Sequence, residues 1–572
     1  MQPTRLAPCV LAGLMSWPLL TQAAPQVAAA DPRSNVPTPA QLAPATPTSR
    51  DSQALPDRPR APRELGKPED ELLIDVSRYV VDDNAPAALR EALGRLTAGF
   101  VGQRRSFEDL VNAANEVTRF LQRDLGYYLG YAYIPEQVMD GQAVRIAVLE
   151  GRLDRVELVW SDKLPVRREV VQAYLDKLQP GAILTVQDVE RTVFLINDLR
   201  GITVKAEVRA GSKPGTAILA FTPKPDPTYS GSVDADMNGS RYIGSQRVGG
   251  SVTLGSPFGR GDGVSASLLT SISGGLRFAL VGYSTPIGAD GFKAGASLSA
   301  LQYKLDQKEF PLGLDGTGAT LNVFGLYPWV RSRNLNLFAL GAANLKTYSD
   351  NVSSLSTRKQ ATDLSLGVSG DFRDALLTGG VNTFEFNLAS GRLNYPDGRP
   401  SGLDDAPQYM KINAAYSRLQ NIIDGRLLAY LATKGQWALK NLDATEQFRA
   451  GGTDGVRAFA PGEGTGDSGL VGTLELRWLP PADWLGPVAR EIVMAAFFDG
   501  AYVISRQDPT TTVRDSSYVN HTSLAGAGFS VVWARPGKFS ARMSVATPLR
   551  GEPKSDPVKR NPRLYAQGSW LF

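Results

Sequence analysis

Cysteine and histidine are almost absent from this chain of 572 residues, which carries one of each, Cys9 and His521. A His/Cys metal cage, a Cys–His nucleophile pair and a disulfide framework each need at least two such side chains that converge. We therefore expect no catalytic residues, no metal site and no cofactor, and a protein that is not an enzyme.

An excess of charge of one sign and a phosphate-binding loop are also missing. The chain has 61 basic and 57 acidic residues, a formal net charge of +4, so it lacks the polycation typical of nucleic-acid binding. It contains no G-x-x-x-x-G-K-[ST] motif, which excludes ATP as the direct energy source through such a loop. Beyond the N-terminus no stretch reaches 18 uncharged apolar residues, so a membrane-spanning form of this chain would be a β-barrel.

The N-terminus is predicted to be an export signal followed by a leader. Residues 1–24 combine the basic Arg5, an apolar stretch and small residues before Pro25, a pattern typical of a secretory signal peptide; a membrane anchor is the alternative. Cys9 lies inside this signal, so the exported chain would carry no thiol. Residues 25–70 contain ten prolines and are predicted to be an extended leader or linker.

A supersecondary unit then occurs twice, at residues 71–150 and 151–225. Each copy has a strand, a helical segment, a second helix that begins at a capping box, a glycine and two strands. The capping boxes begin at Ser106 and Thr185, and the glycines are Gly126 and Gly201. This order resembles POTRA domains, the periplasmic modules that precede certain outer-membrane barrels, with a generic α+β pair as the alternative.

Residues 226–572 change to short alternating segments. In 473–478 the apolar residues face one side, while Glu475 and Arg477 face the other. Charges opposite an apolar face, repeated over many segments, indicate a water-filled lumen and a lipid exterior. We predict eleven strands before a long segment, Asn441–Ser468, and five after it, which gives an antiparallel transmembrane barrel of about 16 strands.

The long segment contains the sequence FRAGGTDGVRAF, and a later strand contains FFDG. Here the chain resembles the outer-membrane transporters of two-partner secretion, the haemolysin, filamentous-haemagglutinin and contact-dependent-inhibition type, which are relatives of the barrel-assembly insertases. Their sixth extracellular loop folds into the lumen with a V-R-G-[FY] tip; Ala458 stands where glycine is usual. The matching residues are Val456, Arg457 and Phe459 at the tip, Phe448, Gly451 and Gly452 before it, and Phe497, Phe498, Asp499 and Gly500 on the predicted thirteenth strand.

The resemblance implies roles for these residues. Arg457 would pair with Asp499 and lock the loop in the barrel, since an arginine offers a planar fork to a carboxylate. The terminal Phe572 would be recognised by the barrel-assembly machinery. Members of the family often begin with a plug helix, but the proline density before Glu71 predicts no clear helix of that kind.

The function that the resemblance implies is export of one cognate exoprotein. The POTRA-like units would bind an unfolded segment of its N-terminal secretion domain, by strand addition to an exposed sheet edge, and the barrel would pass the chain outward. The expected partners are this exoprotein, outer-membrane lipid and, during biogenesis, the assembly machinery; we expect no nucleic acid and a monomer in the outer membrane. A barrel-assembly insertase and a simple solute porin are the alternatives.

Overall fold

A computed structural model describes residues 73–138, 142–308, 313–352, 355–423, 425–509, 519–553 and 561–572. The predicted signal peptide and the predicted leader lie outside these residues.

The first repeat unit packs two helices against three two-stranded sheets. The pairs are β1 with β3, the parallel β2 with β5, and β4 with β6. Ser106 caps α2 as expected, with both hydrogen bonds of the capping box present. The elements are β1 (Leu73–Val76), β2 (Arg78–Val80), α1 (Ala87–Thr97), β3 (Gly102–Ser106), α2 (Phe107–Arg123), β4 (Tyr131–Tyr133), β5 (Ala143–Arg145) and β6 (Ala147–Leu149).

The second repeat unit has one three-stranded sheet in the order β7-β9-β8. Its two helices cover the sheet, and Val189, Val193 and Ile196 of α4 are fully buried. The elements are β7 (Arg152–Leu158), α3 (Arg168–Leu175), α4 (Val186–Asn197), β8 (Ile202–Ala210) and β9 (Thr216–Pro225). The last strand, β9, continues through Pro223, which pairs with Val204.

The two repeat units share packing at their junction. Tyr128 of the first unit is buried in the core of the second, and its amide donates to the carbonyl of Leu184 at 2.8 Å. None of the helices within the described ranges is long and apolar enough to cross a membrane.

Sixteen strands form a closed antiparallel barrel, which confirms the prediction. The last strand closes the barrel by pairing with the first, Trp570 opposite Val233. The strands are β10 (Tyr229–Asp236), β11 (Arg247–Gly255), β12 (Gly263–Ser271), β13 (Leu276–Pro286), β14 (Lys293–Lys304), β15 (Leu314–Arg331), β16 (Leu335–Val352), β17 (Leu355–Asp374), β18 (Gly380–Asn394), β19 (Gln408–Ile423), β20 (Leu427–Ala438), β23 (Ser468–Trp478), β24 (Ile492–Ile504), β25 (His521–Arg535), β26 (Phe539–Arg550) and β27 (Arg563–Leu571); β21 (Phe448–Arg449) and β22 (Thr465–Gly466) form a small hairpin between β20 and β23.

Side chains alternate between the lumen and the exterior along each strand. On β17, Leu364 and Leu366 are 64% and 70% exposed on the outer face, while Asp363 and Ser365 are 4% exposed on the inner face. This is the reverse of a soluble sheet and matches a wall between lipid and a polar lumen.

Strands β15 to β17 are longer than the sequence pattern predicts, since alternation indicates strands only near 317–328, 334–348 and 360–373. At the end away from the repeat units their outer residues are polar, as at Ser349 and Arg358. The alternation of apolar and polar residues by which we predict a strand is therefore absent there. The short helix α5 (Ala482–Leu485) and the 3-10 turn after it were not predicted.

The second repeat unit contacts turns at one end of the barrel. The carboxylate of Asp198 pairs with Arg331, the last residue of β15, at 2.8 Å, with both side chains buried. Arg191 donates to the carbonyls of Pro328 and Asp290, and the Arg167 amide donates to the carbonyl of Gly259. These turns follow the second, fourth and sixth barrel strands, so they mark the end opposite the long loop after the eleventh.

Candidate functional site: a loop folded into the lumen

Residues 439–467, which join β20 to β23, form what we call the lumen loop. Their side chains contact inward-facing residues of two different parts of the barrel wall. We call the contacts of Arg457 with Glu475 and Asp499 the tip anchor. We call the contacts of Asp443 and Glu446 with Lys346, Lys359 and Lys411 the base anchor.

The tip of the loop is shaped by its own backbone hydrogen bonds. The Val456 amide donates to the carbonyl of Ala450 at 2.7 Å, and the Phe459 amide donates to the carbonyl of Val456 at 3.0 Å. A Cβ atom at Gly455 would lie 1.9 Å from the carbonyl oxygen of Ala450. The tight turn before Arg457 therefore requires glycine at this position.

Arg457 is the centre of the tip anchor. Its Nε and Nη2 donate to the two carboxylate oxygens of Asp499 at 2.9 and 2.8 Å, and its backbone amide donates to Asp499 Oδ2 at 3.0 Å. Nη1 donates to Glu475 at 2.8 Å. The guanidinium also lies 3.4 Å from the ring centroid of Phe497. Two carboxylates and an aromatic face thus hold one arginine, an arrangement that lysine's point charge could not reproduce.

Apolar packing surrounds these charges. Val456 and Phe459 are 0% and 1% exposed and belong to one cluster with Val471 and Phe497 of the wall. The Tyr565 hydroxyl donates to the carbonyl of Phe459 at 2.9 Å. Exclusion of water around the tip strengthens the interactions of Arg457 with its carboxylates.

Ala458, which replaces the usual glycine, is accommodated by the wall. It is not among the described non-glycine residues with positive φ, so its backbone conformation does not call for glycine. Its methyl group lies against Gly526 of β25, where a Cβ atom would be only 2.4 Å from the Cβ of Ala458. The extra methyl on the loop is matched by a missing side chain on the strand.

The base anchor holds the start of the loop against β16, β17 and β19. Glu446 lies between Lys346 and Lys411, at 2.7 and 3.0 Å, and Asp443 pairs with Lys359. Burial raises the pKa of the Glu446 carboxyl, but Lys346 and Lys411 outweigh burial and lower it below its ordinary value. The loop therefore spans the lumen between two charged attachments.

Of four other predicted motif residues, two lie in the lumen loop and two lie on the barrel wall away from it. Phe448 packs at the edge of the tip cluster, and Gly451 lies inside the loop, where a Cβ would meet the Ala460 carbonyl at 2.3 Å. Phe498 faces outward and is 47% exposed; a Cβ on Gly500 would lie 3.6 Å from its ring. Phe498 and Gly500 therefore do not contact the loop.

Two further motif residues lie in a turn and at the seam. Gly452 has a φ of 99° in the loop turn, a conformation that favours glycine. Phe572 lies at the seam of the barrel, where β27 pairs with β10. Its amide and carbonyl pair with those of Gly231.

Several residues of the site were not identified from the sequence as partners of the loop. Glu475 was recognised only as an inward charge, and the three lysines of the base anchor and Tyr565 were not singled out. Each of these residues is a polar residue at an inward position of a barrel strand. That pattern predicts that the side chain faces the lumen, but it does not predict which residue of the loop it contacts. Among the described residues no group of three or more His, Cys, Asp or Glu side chains could hold a metal ion.

The comparisons with known proteins agree with this geometry. Residues 215–531 match the family model of the haemolysin secretion/activation proteins ShlB/FhaC/HecB, and residues 74–151 match the ShlB-type POTRA domain. The chain belongs to the ShlB/FhaC/HecB family. It is therefore a transporter of two-partner secretion, located in the outer membrane with its POTRA region in the periplasm, and it pairs with a secreted exoprotein.

Individual relatives cover most of the chain. The heme/hemopexin transporter protein HuxB of Haemophilus influenzae is 24% identical over 480 residues, 82% of each chain. The outer membrane transporter CdiB of Dickeya dadantii is 25% identical over 435 residues, 73% of this chain and 74% of the relative. The solved structure of CdiB from Escherichia coli, 21% identical, superimposes with a TM-score of 0.66 over 89% of this chain and 93% of that one. The insertase and porin alternatives are not favoured by these matches.

Proposed function

We propose that the lumen loop closes the barrel at rest and must leave at least its tip anchor for an exoprotein to pass. The supporting observation is the bidentate pairing of Arg457 with the fully buried Asp499. A loop attached to two parts of the wall occupies the route that an unfolded chain would follow through the lumen.

The periplasmic region is proposed to bind the exoprotein before transport. Residues 71–150 and 151–225 would act as two POTRA domains and bind its unfolded N-terminal secretion domain. Strand β8 lies at the edge of the sheet of the second unit, and such an edge can accept an added strand. Transport would need no ATP, since folding of the exoprotein outside the cell would make export irreversible.

The remaining assignments are proposals of the same kind. Residues 1–24 would be the cleaved signal peptide, 25–70 a leader or linker, and 226–572 the barrel. Phe572 would be the residue that the barrel-assembly machinery recognises, and the transporter would work as a monomer among outer-membrane lipids.

Deletion of the transporter tests the export function. We expect one large exoprotein to be absent from the culture medium and the cell surface and to be retained in the periplasm, with other outer-membrane barrels at normal abundance. A general loss of barrel proteins would instead favour an insertase, and unchanged exoprotein at the surface would contradict the proposal.

A further inference from the structure

The outer wall of the barrel contains a groove that the transport function does not use. Its volume is about 1330 Å³, and it crosses strands β10 to β17. Three alanines, Ala279, Ala300 and Ala319, lie directly opposite one another on adjacent strands at its floor. Leu268, which is 67% exposed, pairs with Ala279 at one side. Small side chains in a row between larger apolar ones leave a depression on the surface that faces lipid.

A polar rim borders this groove. The next outward row, followed from strand to strand, contains Arg277, Gln302, Thr317, Ser349 and Arg358. All five residues line the groove. An amide and two hydroxyls thus lie between two arginines.

The rim lies at the end of the strands opposite the second repeat unit. Arg277 is at the start of β13, whereas the turn after that strand contacts the unit through Asp290. The rim is therefore on the outer-leaflet side. Below it the exposed outward residues are apolar, including Val281, Leu298 and Leu345, so the groove runs from the interface into the hydrocarbon region.

The charges of the rim favour an anion. Within the described part of the chain Arg277 has no ion pair, and Arg358 pairs with Asp397. Because both partners of that pair are exposed, water screens it and it contributes little, so a bidentate arginine–phosphate contact can compete with it. On β15 the carboxylate of Asp315, two residues before Thr317, accepts from the Asn351 amide at 3.0 Å.

We propose that this groove binds a diphosphorylated, multiply acylated glycolipid of the outer leaflet, of the lipid A class. Arg277 and Arg358 lie four strand intervals apart, about 19 Å between their backbones, and both side chains are long enough to turn toward each other. A ligand with two separated phosphates engages both arginines, whereas a phospholipid with one phosphate engages only one. Several acyl chains would cover the alanine row and Leu268.

Binding of purified lipid A to the full-length chain tests the proposal. The delipidated protein in mild detergent is titrated by native mass spectrometry with diphosphoryl lipid A, with monophosphoryl lipid A and with phosphatidylglycerol. We expect diphosphoryl lipid A to bind most tightly, and R277A/R358A to weaken it by about tenfold or more, as loss of charge-assisted contacts predicts. The matched control R426A removes an exposed arginine in the turn at the opposite end of the barrel and should bind as the wild type does.

A second pair of variants tests the apolar floor. A300F fills the groove and should weaken binding, whereas A414F, an exposed outward alanine of β19, should not. Heat-modifiable mobility in SDS gels shows that each barrel is folded. Binding by R277A/R358A within twofold of the wild type, or equal binding of phosphatidylglycerol and diphosphoryl lipid A, would overturn the proposal.

Discussion

The two anchors of the lumen loop use different chemistry. At the tip anchor one arginine engages two carboxylates and an aromatic ring inside an apolar cluster. At the base anchor lysines and carboxylates pair as point charges, and the apolar cluster beside them contains only Tyr409, Ala438 and Leu442.

The two anchors differ in the contacts that remain for each charged side chain when its ion-pair partner is removed. Without Glu446, Lys346 would keep Asp363 at 2.8 Å, and Lys411 donates to the backbone carbonyl of residue 446 at 2.7 Å. Asp499 would keep only neutral donors, the Thr473 hydroxyl and the amide of residue 457. The tip is therefore held by one arginine without a substitute, whereas the base distributes its charge over several partners.

Arg457→Ala should have the largest effect. It leaves the buried Asp499 carboxylate without a cation, which typically costs about 3–5 kcal/mol. We expect resistance of the loop to external protease to fall, and export of the exoprotein to change at least several-fold; both are measured in cells that produce the exoprotein.

The conservative variant Arg457→Lys should restore only part of the lost protection, because lysine cannot form the bidentate contact. Arg426→Ala is the matched control for loss of a positive charge. The proposed difference between the anchors would be contradicted if R457A cells showed wild-type protease resistance of the loop and wild-type export of the exoprotein.

Glu446→Gln should have a smaller effect than Arg457→Ala. The amide keeps the shape of the side chain, and Lys346 and Lys411 retain other acceptors, so we expect a loss of roughly 1–2 kcal/mol. Thermal unfolding, followed by heat-modifiable mobility, measures the loss beside that of R457A. A loss from E446Q as large as that from R457A would show that the base anchor is equally specialised.

Gly526→Ala tests how the wall accommodates the tip. The new methyl group would lie 2.4 Å from the Cβ of Ala458, and such overpacking typically costs about 1–3 kcal/mol. Ala458→Gly in the same chain should restore most of the lost thermal stability, because it removes the opposing methyl. If G526A unfolded at the same temperature with either residue at position 458, the two side chains would not be coupled.

Much of the fold could be predicted from the sequence because its signals are local. Alternation along each strand gave sixteen strands, and the capping box at Ser106 marked the start of α2. The ends of β15 to β17 could not be predicted, since their outer residues become polar above the apolar band.

Only those residues of the site that belong to a sequence motif could be predicted. Arg457 and Asp499 were paired through the family resemblance, and the structure places them in contact; the role of that contact in export stays a prediction. Lys346 and Glu446 lie 100 positions apart in the chain, and the sequence shows each only as a polar residue. Their pairing depends on the path of the loop across the lumen, which no local pattern specifies.

The most direct test of the central claim is the accessibility of the loop tip during export. Val456 is 0% exposed, so a cysteine in V456C should be protected from a membrane-impermeant maleimide at rest. The chain's only native cysteine, Cys9, lies in the predicted signal peptide. Ser401→Cys, in an exposed turn at the same end of the barrel, is the control for reagent access.

We expect labelling of V456C to rise several-fold when the exoprotein is co-produced, while labelling of S401C stays constant. Protection of V456C that persists while the exoprotein is exported at the normal rate would contradict the claim that the tip must leave its anchor.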